Sequence, residues 1–303
     1  MIDRAKLTLG PILFHWPAAV KRDFYFRIAD EAPVDVVYVG EVVCSKRAPF
    51  FNPHLPLVME RLARAGKEVI HSTLALVMTA REISDLRTAA TQEGMLIEAN
   101  DLGCAALFSG RPHAIGPFIN VYNEGTLKHL VRRGAVSVTL PFELSNESIR
   151  AIAGSGLRVT LEVQAFGRIP LALSARCYHA RACGLHKNSC AYVCQADLDG
   201  MVIETLEGRP FLALNGTQTM SYTLGNLVTE VERLRGMGID RFRLSPHDVD
   251  MVAVAEVFRA VLDGWRTSRQ ALERLSELVS LAPFSNGFYH GREGAAWIGT
   301  DEL

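Results

Sequence analysis

The sequence predicts a (β/α)8 barrel, on three observations. Eight runs rich in Val, Ile, Leu and Thr are each closed by Gly, Asn, Asp, Glu or Pro. Each run is followed by a stretch with apolar residues at three- and four-residue spacing. Eight such units in about 260 residues match a closed barrel in count and length. A doubly wound open sheet shows the same alternation, and the count of eight favours the barrel.

The expected strands fall, in order, at 7–14, 34–40, 68–74, 95–100, 113–120, 136–142, 157–164 and 241–245. The expected helices lie at 20–31, 55–65, 81–92, 102–108, 126–133, 148–153, 227–237 and 249–262. Ser145 followed by Ser148 reads as an N-cap, and Gly66, Gly134 and Gly156 stand where a helix end turns into the next strand. The rhythm breaks once. Some 60 residues, 166–226, separate the seventh strand from its helix, where about 2 to 6 are usual. This insertion after strand seven carries four of the six cysteines and a hairpin, 201–206 and 210–214, joined by Glu207, Gly208 and Arg209. The predicted organisation is therefore a barrel over 1–266 that includes the cysteine-rich insertion, then an extension over 267–303. The extension holds an amphipathic helix, 268–279, and an aromatic, Gly-rich end through Phe284, Phe288, Tyr289 and Trp297 that covers the barrel or meets a partner.

Composition narrows the function. With 49% hydrophobic and 21% charged residues, the 303-residue chain buries a large core, which excludes disorder and coiled coil. Thirty-two Lys and Arg against 33 Asp and Glu leave a net charge of -1, so no global field draws it to nucleic acid or to an acidic membrane. Gly10, Pro11 and His15 interrupt the apolar run in 1–17, which argues against an export signal. No stretch approaches the roughly 18 uncharged apolar residues of a spanning helix, so a cytoplasmic protein is expected.

Cysteines in a reducing compartment signal metal or redox chemistry more often than disulfides. Cys177, Cys183, Cys190 and Cys194 crowd into 18 residues without the paired Cys-x2-Cys spacing of zinc sites. Irregular spacing with a distant fourth thiolate suits an iron–sulfur cluster. The distant candidate is Cys44, just past the second strand, because that loop and the insertion open onto the same barrel face. Lys46, Arg47, Arg176 and Arg181 are positioned to offset the thiolate charge. Buried free cysteines acting as small apolar residues are the plain alternative, and Cys104 is assigned that part.

Several segments resemble the ubiquinone-biosynthesis branch of the collagenase-like peptidase family: LGPILFHWP at 9–17, YVGEVVCSKR at 38–47, STLALV at 72–77, IEANDLG at 97–103 and PLALSARC at 170–177. The likeness continues through LNGTQTMS at 214–221, RLSP at 243–246 and NGFY at 286–289, so it spans nearly the whole chain. The resemblance implies a [4Fe–4S] cluster on Cys44, Cys177, Cys190 and Cys194. It also implies a heterodimer with a homologous subunit, oxygen-independent ring hydroxylation of ubiquinone precursors, and a prephenate-like oxygen donor. The interval 177–190 is shorter than the family pattern and contains Cys183, an alternative ligand for which no role is expected.

Polar residues near strand ends are candidates to line the barrel mouth: Glu41, Ser72, Glu98, Asp101, Asn120, Tyr122, Asn123, Glu143, Glu162, Gln164, Arg243, Ser245 and His247. Glu98 and Asp101 suit acid and base roles, with helix capping an equal reading for Asp101. Arg243 suits a carboxylate or phosphate ligand, or a structural pair with Glu143 or Glu162. No His-Glu-x-x-His and no Gly-x-Ser-x-Gly is present, His179 and His186 read as solvated loop residues, and Gly236 and Gly238 mark a helix end. The catalytic residues are therefore unassigned. The function expected is a cluster protein of an oxygen-independent hydroxylase complex. The alternative is a peptidase-like or peptide-binding accessory protein with structural zinc.

Overall fold

The structure is a computed structural model that describes residues 4–91 and 94–299. Eight parallel strands close into a ring: β1 (Lys6–Leu9), β2 (Val36–Gly40), β3 (Glu68–Ser72), β4 (Leu96–Ala99), β5 (His113–Ile115), β6 (Ala135–Thr139), β7 (Thr160–Leu173) and, after three strands of the insertion, β11 (Arg241–Leu244). Each pairs with the next, and β11 pairs with both β1 and β7, which completes the barrel. The predicted fold class is the observed one.

Strand alternation sets the two surfaces of the ring. Leu7, Leu9, Val37, Val39, Ile97, Val138, Leu161, Val163 and Phe242 join one apolar cluster with helix residues such as Tyr25, Leu62, Leu130, Ile152 and Phe258. The alternate positions face inward. Those near the bottom combine apolar Val36, Tyr38 and Ile70 with the Arg241–Glu68 ion pair, and the layer above is polar. Thr8, Tyr38, Ser72, Glu98, Thr139, Glu162 and Arg243, drawn from seven of the eight strands, share one hydrogen-bonded network. Only the barrel interior lets residues from opposite sides of the ring meet in this way.

Several strands are shorter than their apolar runs. The first ends at Leu9, because Pro11 has no N–H to give a ladder. The fifth stops at Ile115, and Pro117 opens a helical turn there. The helix expected from 227 begins later, at Val231. The expected helix-ending glycines, 66, 134 and 156, all take positive φ. Gln92, the expected end of the helix after β3, and residues 1–3 and 300–303 lie outside the described residues.

The insertion needs a correction. The sequence ends strand seven at 164 and starts the insertion at 166, on the length of the gap before the next helix. Instead β7 runs on to Leu173 and pairs antiparallel with β10 (Gln218–Asn226). Gly167 makes the turn-out: its φ is +116°, and a Cβ there would stand 2.6 Å from Ser245 Cβ. Strands β8 (Met201–Glu204) and β9 (Pro210–Asn215) form the expected hairpin, and β10 extends it to a three-stranded meander. Asn215 and Gln218 flank the two-residue turn Gly216–Thr217 that joins β9 to β10. The extension's helix spans Ser268–Leu278, and β12 (Phe284–Ser285) then pairs with β10. Tyr289 is buried, and its carbonyl accepts from Asn146 N at 2.8 Å, so this end packs against the barrel. Among the described residues no helix is long and apolar enough to cross a membrane.

Candidate functional site

The loop after β2 is folded by its own carboxylate. Glu41 Oε1 accepts from Val43 N at 3.1 Å and Cys44 N at 3.0 Å. Thr217, in the turn between β9 and β10, donates to Val43 O at 2.8 Å and fastens that loop to the insertion. On the insertion side, Cys177 caps the short helix Tyr178–Ala182: its sulfur accepts from Ala180 N at 3.4 Å and lies 3.2 Å from Gly216 O. These ties bring two remote stretches of chain together.

The result is a pocket lined by Cys44, Cys177, Cys190 and Cys194, all four of the predicted ligands, together with Lys46, Arg47, Lys187 and Tyr192. It encloses about 340 Å³, space open to solvent included. Cys183 is exposed and outside this lining, and Cys104 is buried elsewhere, with Thr73 Oγ1 3.4 Å from its sulfur. Among the described residues no three His, Cys, Asp or Glu side chains are gathered as a single metal ion requires. The thiols surround a space rather than a point.

Electrostatics at the pocket are set by burial and by nearby cations, Arg47 foremost. Burial pushes the thiols of Cys44, Cys177 and Cys194 up, and Arg47 pulls against that shift at each. Metal binding would exchange those protons for the metal. Lys46 Nζ donates to Lys187 O at 2.7 Å and sits 3.5 Å from Cys190 Sγ. Of the four basic residues expected here, Arg176 and Arg181 are exposed, and Arg47 alone is buried, 3% exposed. Ala191 and Tyr192, between Cys190 and Cys194, both have left-handed backbone, φ 45° and 55°. Two consecutive non-glycine residues in that region cost about 1–2 kcal/mol each, strain of the kind that gathers at functional sites. Tyr192 is held there by ring contacts with Phe50 and His15. Burial, with Arg47 and Lys21 nearby, drives His15 down to about 4, so it is neutral at physiological pH.

A second cavity opens at the C-terminal ends of the strands, lined by Gly10, Glu98, Asn100, Phe142, Gln164, Arg243 and Ser245. Its floor is the interior network. Arg243 donates to Glu162 Oε1 at 2.8 Å, Glu98 Oε1 at 2.6 Å and Thr139 Oγ1 at 2.8 Å, and its guanidinium lies 3.9 Å from the Tyr38 ring centroid. Burial raises the Glu162 carboxyl, but Arg243 and hydrogen bonds from Thr8 and Tyr38 outweigh it and hold it below the usual carboxylate range. Asn100 Oδ1 is buried without a partner and packed against Gly116. Leu13 lines this mouth and packs in one small cluster with Val42, Val43, Cys44 and Phe118, so a single apolar layer separates mouth from thiol pocket.

The other expected polar residues divide. Arg243 holds Glu162 and Glu98, whereas Glu143 takes a hydrogen bond from Tyr122 instead. Asp101 caps its helix, accepting from Gly103 N at 2.7 Å, and Asn123 caps the next by accepting from Thr126 N. Ser72 donates to Glu98 at 2.6 Å, Gln164 donates to Gly167 O and Arg168 O, and Asn120 takes a left-handed turn conformation. His247 lies 2.8 Å from Asp199 and accepts from Arg168 N at 3.0 Å, a structural clasp on the turn-out of β7. His186 is exposed as expected, but His179 is fully buried, 3.2 Å from Leu214 O and 3.0 Å from Asp197, too oblique there for a hydrogen bond. A two-turn segment between cysteines gave no sign that its histidine turns under β9. Tyr38 and Asn215 were not anticipated. Tyr38 reads as strand core, and only its place on the inward face, with its hydroxyl donating to Glu162, marks it.

Two solved structures resemble the chain weakly. Phospho-2-dehydro-3-deoxyheptonate aldolase of Thermotoga maritima is 10% identical with a TM-score of 0.35, over 93% of this chain and 71% of that one. Tryptophan synthase of Mycobacterium tuberculosis is 11% identical with a TM-score of 0.31, over 91% of this chain and 93% of that one. The sequence itself is decisive: the family model of Peptidase family U32 matches residues 25–299, and the chain belongs to that family.

Proposed function

We propose that this chain is an iron–sulfur member of the family, holding a [4Fe–4S] cluster on Cys44, Cys177, Cys190 and Cys194. It would act like the ubiquinone-biosynthesis protein UbiV, with a homologous UbiU-like subunit, in oxygen-independent hydroxylation of a quinone-precursor ring. The observation that carries this reading is the pairing of four thiols around one pocket with a buried arginine that has no carboxylate within ion-pair distance among the described residues. Glu41 is the main carboxylate acting on this arginine, without an ion pair among the described residues, and an anionic thiolate set would add the counter-charge that burial demands. The residues fit the group: four soft donors lining one pocket, and N–H and cationic neighbours at the sulfurs.

When bound, such a cluster supplies one-electron redox chemistry. With four cysteine ligands every iron is filled from the protein, so the role assigned to this subunit is electron transfer or structural poise, with ring chemistry elsewhere in the complex. The barrel mouth, one apolar layer away, offers Gln164 and Ser245 to a small prephenate-like molecule or quinone precursor.

Anaerobic purification and a count of iron and acid-labile sulfide test the reading. Expected are iron and sulfide in equal amounts with brown absorbance, loss of both in Cys44→Ala, Cys177→Ala, Cys190→Ala and Cys194→Ala, and no loss in Cys183→Ser. Stoichiometric zinc without sulfide would replace this reading by the accessory-protein one. Anaerobic quinone synthesis that persists with Cys190→Ala would leave the chain a scaffold for its partner.

A further inference from the structure

We infer that Arg47 is the internal counter-ion of the thiolate-held group, a positioning residue that fixes its charge and its reduction potential. The inference rests on the cluster reading above. Arg47 ends the helical turn Ser45–Arg47, three residues after Cys44, and turns inward under the pocket.

Its surroundings are shaped around the guanidinium. Nη1 donates to Leu13 O at 3.2 Å and Nη2 to Asn215 Oδ1 at 2.6 Å. Asn215 cannot turn its amide over, because its Nδ2 donates to Cys194 O at 3.1 Å and Asp197 O at 2.9 Å. At Gly216 a Cβ would lie 2.3 Å from Nη2, so the β9–β10 turn leaves room for the arginine only by having no side chain there. The guanidinium lines the pocket beside Cys194 and pulls that thiol down against burial, and its Nε is buried with no partner. A purely structural arginine would be fully satisfied by carbonyls and a carboxylate. This one keeps a donor spare and turns its charge towards sulfur.

One-electron reduction adds a negative charge to the group, and a fixed, desolvated cation favours the reduced form. Removing that cation lowers the midpoint potential. Lys46 reaches the same pocket from a half-buried position, where solvent screens it, and its removal matters less.

The test is an anaerobic redox titration with dithionite, followed by the reduced-cluster paramagnetic signal, on wild type, Arg47→Gln, Arg47→Lys and Lys46→Met, each with its iron and sulfide count. Arg47→Gln is expected to keep the iron and sulfide but to titrate at a more negative potential, with Arg47→Lys between it and wild type and Lys46→Met near wild type. An unchanged midpoint in Arg47→Gln overturns the inference and leaves the cluster reading standing. Wild type without iron and sulfide overturns both. If Arg47→Gln does not retain the group, Arg47→Met, which keeps the bulk without the charge, carries the test, and a wild-type midpoint there refutes the role.

Discussion

Replacing Arg243 by Met removes the one cation inside the polar layer of the barrel while roughly keeping its volume. The wild-type side chain is 4% exposed, donates to Glu162, Glu98 and Thr139, and is paired with two carboxylates that are themselves wholly buried. Breaking a buried pair from one side costs about 3–5 kcal/mol, because the remaining charge stays out of water. An unfolding entropy of about 2.1 cal/mol/K per residue gives roughly 0.6 kcal/mol/K for a chain of this length, so the melting temperature should fall by about 5–8 °C. The pH dependence gives a sharper test. In wild type, Glu162 titrates below its ordinary 4.5, so its contribution is complete above that pH and is lost as pH falls through the folded value. In Arg243→Met burial prevails, the folded carboxyl titrates above its unfolded value, and the variant regains stability as pH falls. The difference between the two proteins should be widest at pH 8 and shrink towards pH 5.5, by up to about 1.4 kcal/mol per pH unit for each proton taken up. Thermal and urea unfolding at both pH values measure this. A penalty below about 1 kcal/mol, or one that does not change with pH, would show that the interior layer is not held by charge.

Further outcomes follow from local geometry. Gly167→Ala should destabilise by at least about 2 kcal/mol, since it adds a left-handed alanine and a contact at 2.6 Å, whereas Gly66→Ala, also left-handed but with nothing near, should cost about 1–2 kcal/mol. Urea midpoints compare them, and equal losses would contradict the close approach at β7. His15, at about 4, should show no ring-proton titration by NMR between pH 5.5 and 8, and a midpoint near 6.5 would place it in solvent. Asn286→Ala severs hydrogen bonds to Glu230 and to both the N–H and the carbonyl of Ile298, so protease should clip the end of the chain faster while the barrel stays resistant. Unaltered clipping would mean that Asn286 does not hold that segment.

The barrel was legible because each strand carries its two faces in its own composition and each helix repeats its apolar face locally. What depended on long-range pairing was not. Gly167 and Pro170 break a strand in one dimension, yet β7 continues through both because β10 arrives alongside it and Gly167 meets Ser245 closely. The cysteine set was visible from crowding alone, and Cys44 from the shared face of barrel loops. Arg47 could not be told from Lys46, Arg176 or Arg181 by spacing, since its burial is decided by Asn215 and Gly216, more than 160 positions away. Arg243 was seen as one half of a pair, but the choice of Glu162 over Glu143 depends on which faces of β7 and β11 meet inside the ring.

The unbroken run of β7 makes the meander an outgrowth of the ring rather than an appendage on a tether. Fourteen residues of one strand lie first between β6 and β11 and then beside β10. On the cluster reading proposed above, a chain without the cluster should lose order chiefly across 177–197, a stretch of short turns with left-handed backbone at Ala191 and Tyr192, while the adjoining sheet stays anchored. The empty protein would be a nearly finished receptacle, competent to be filled after folding rather than needing metal in order to fold.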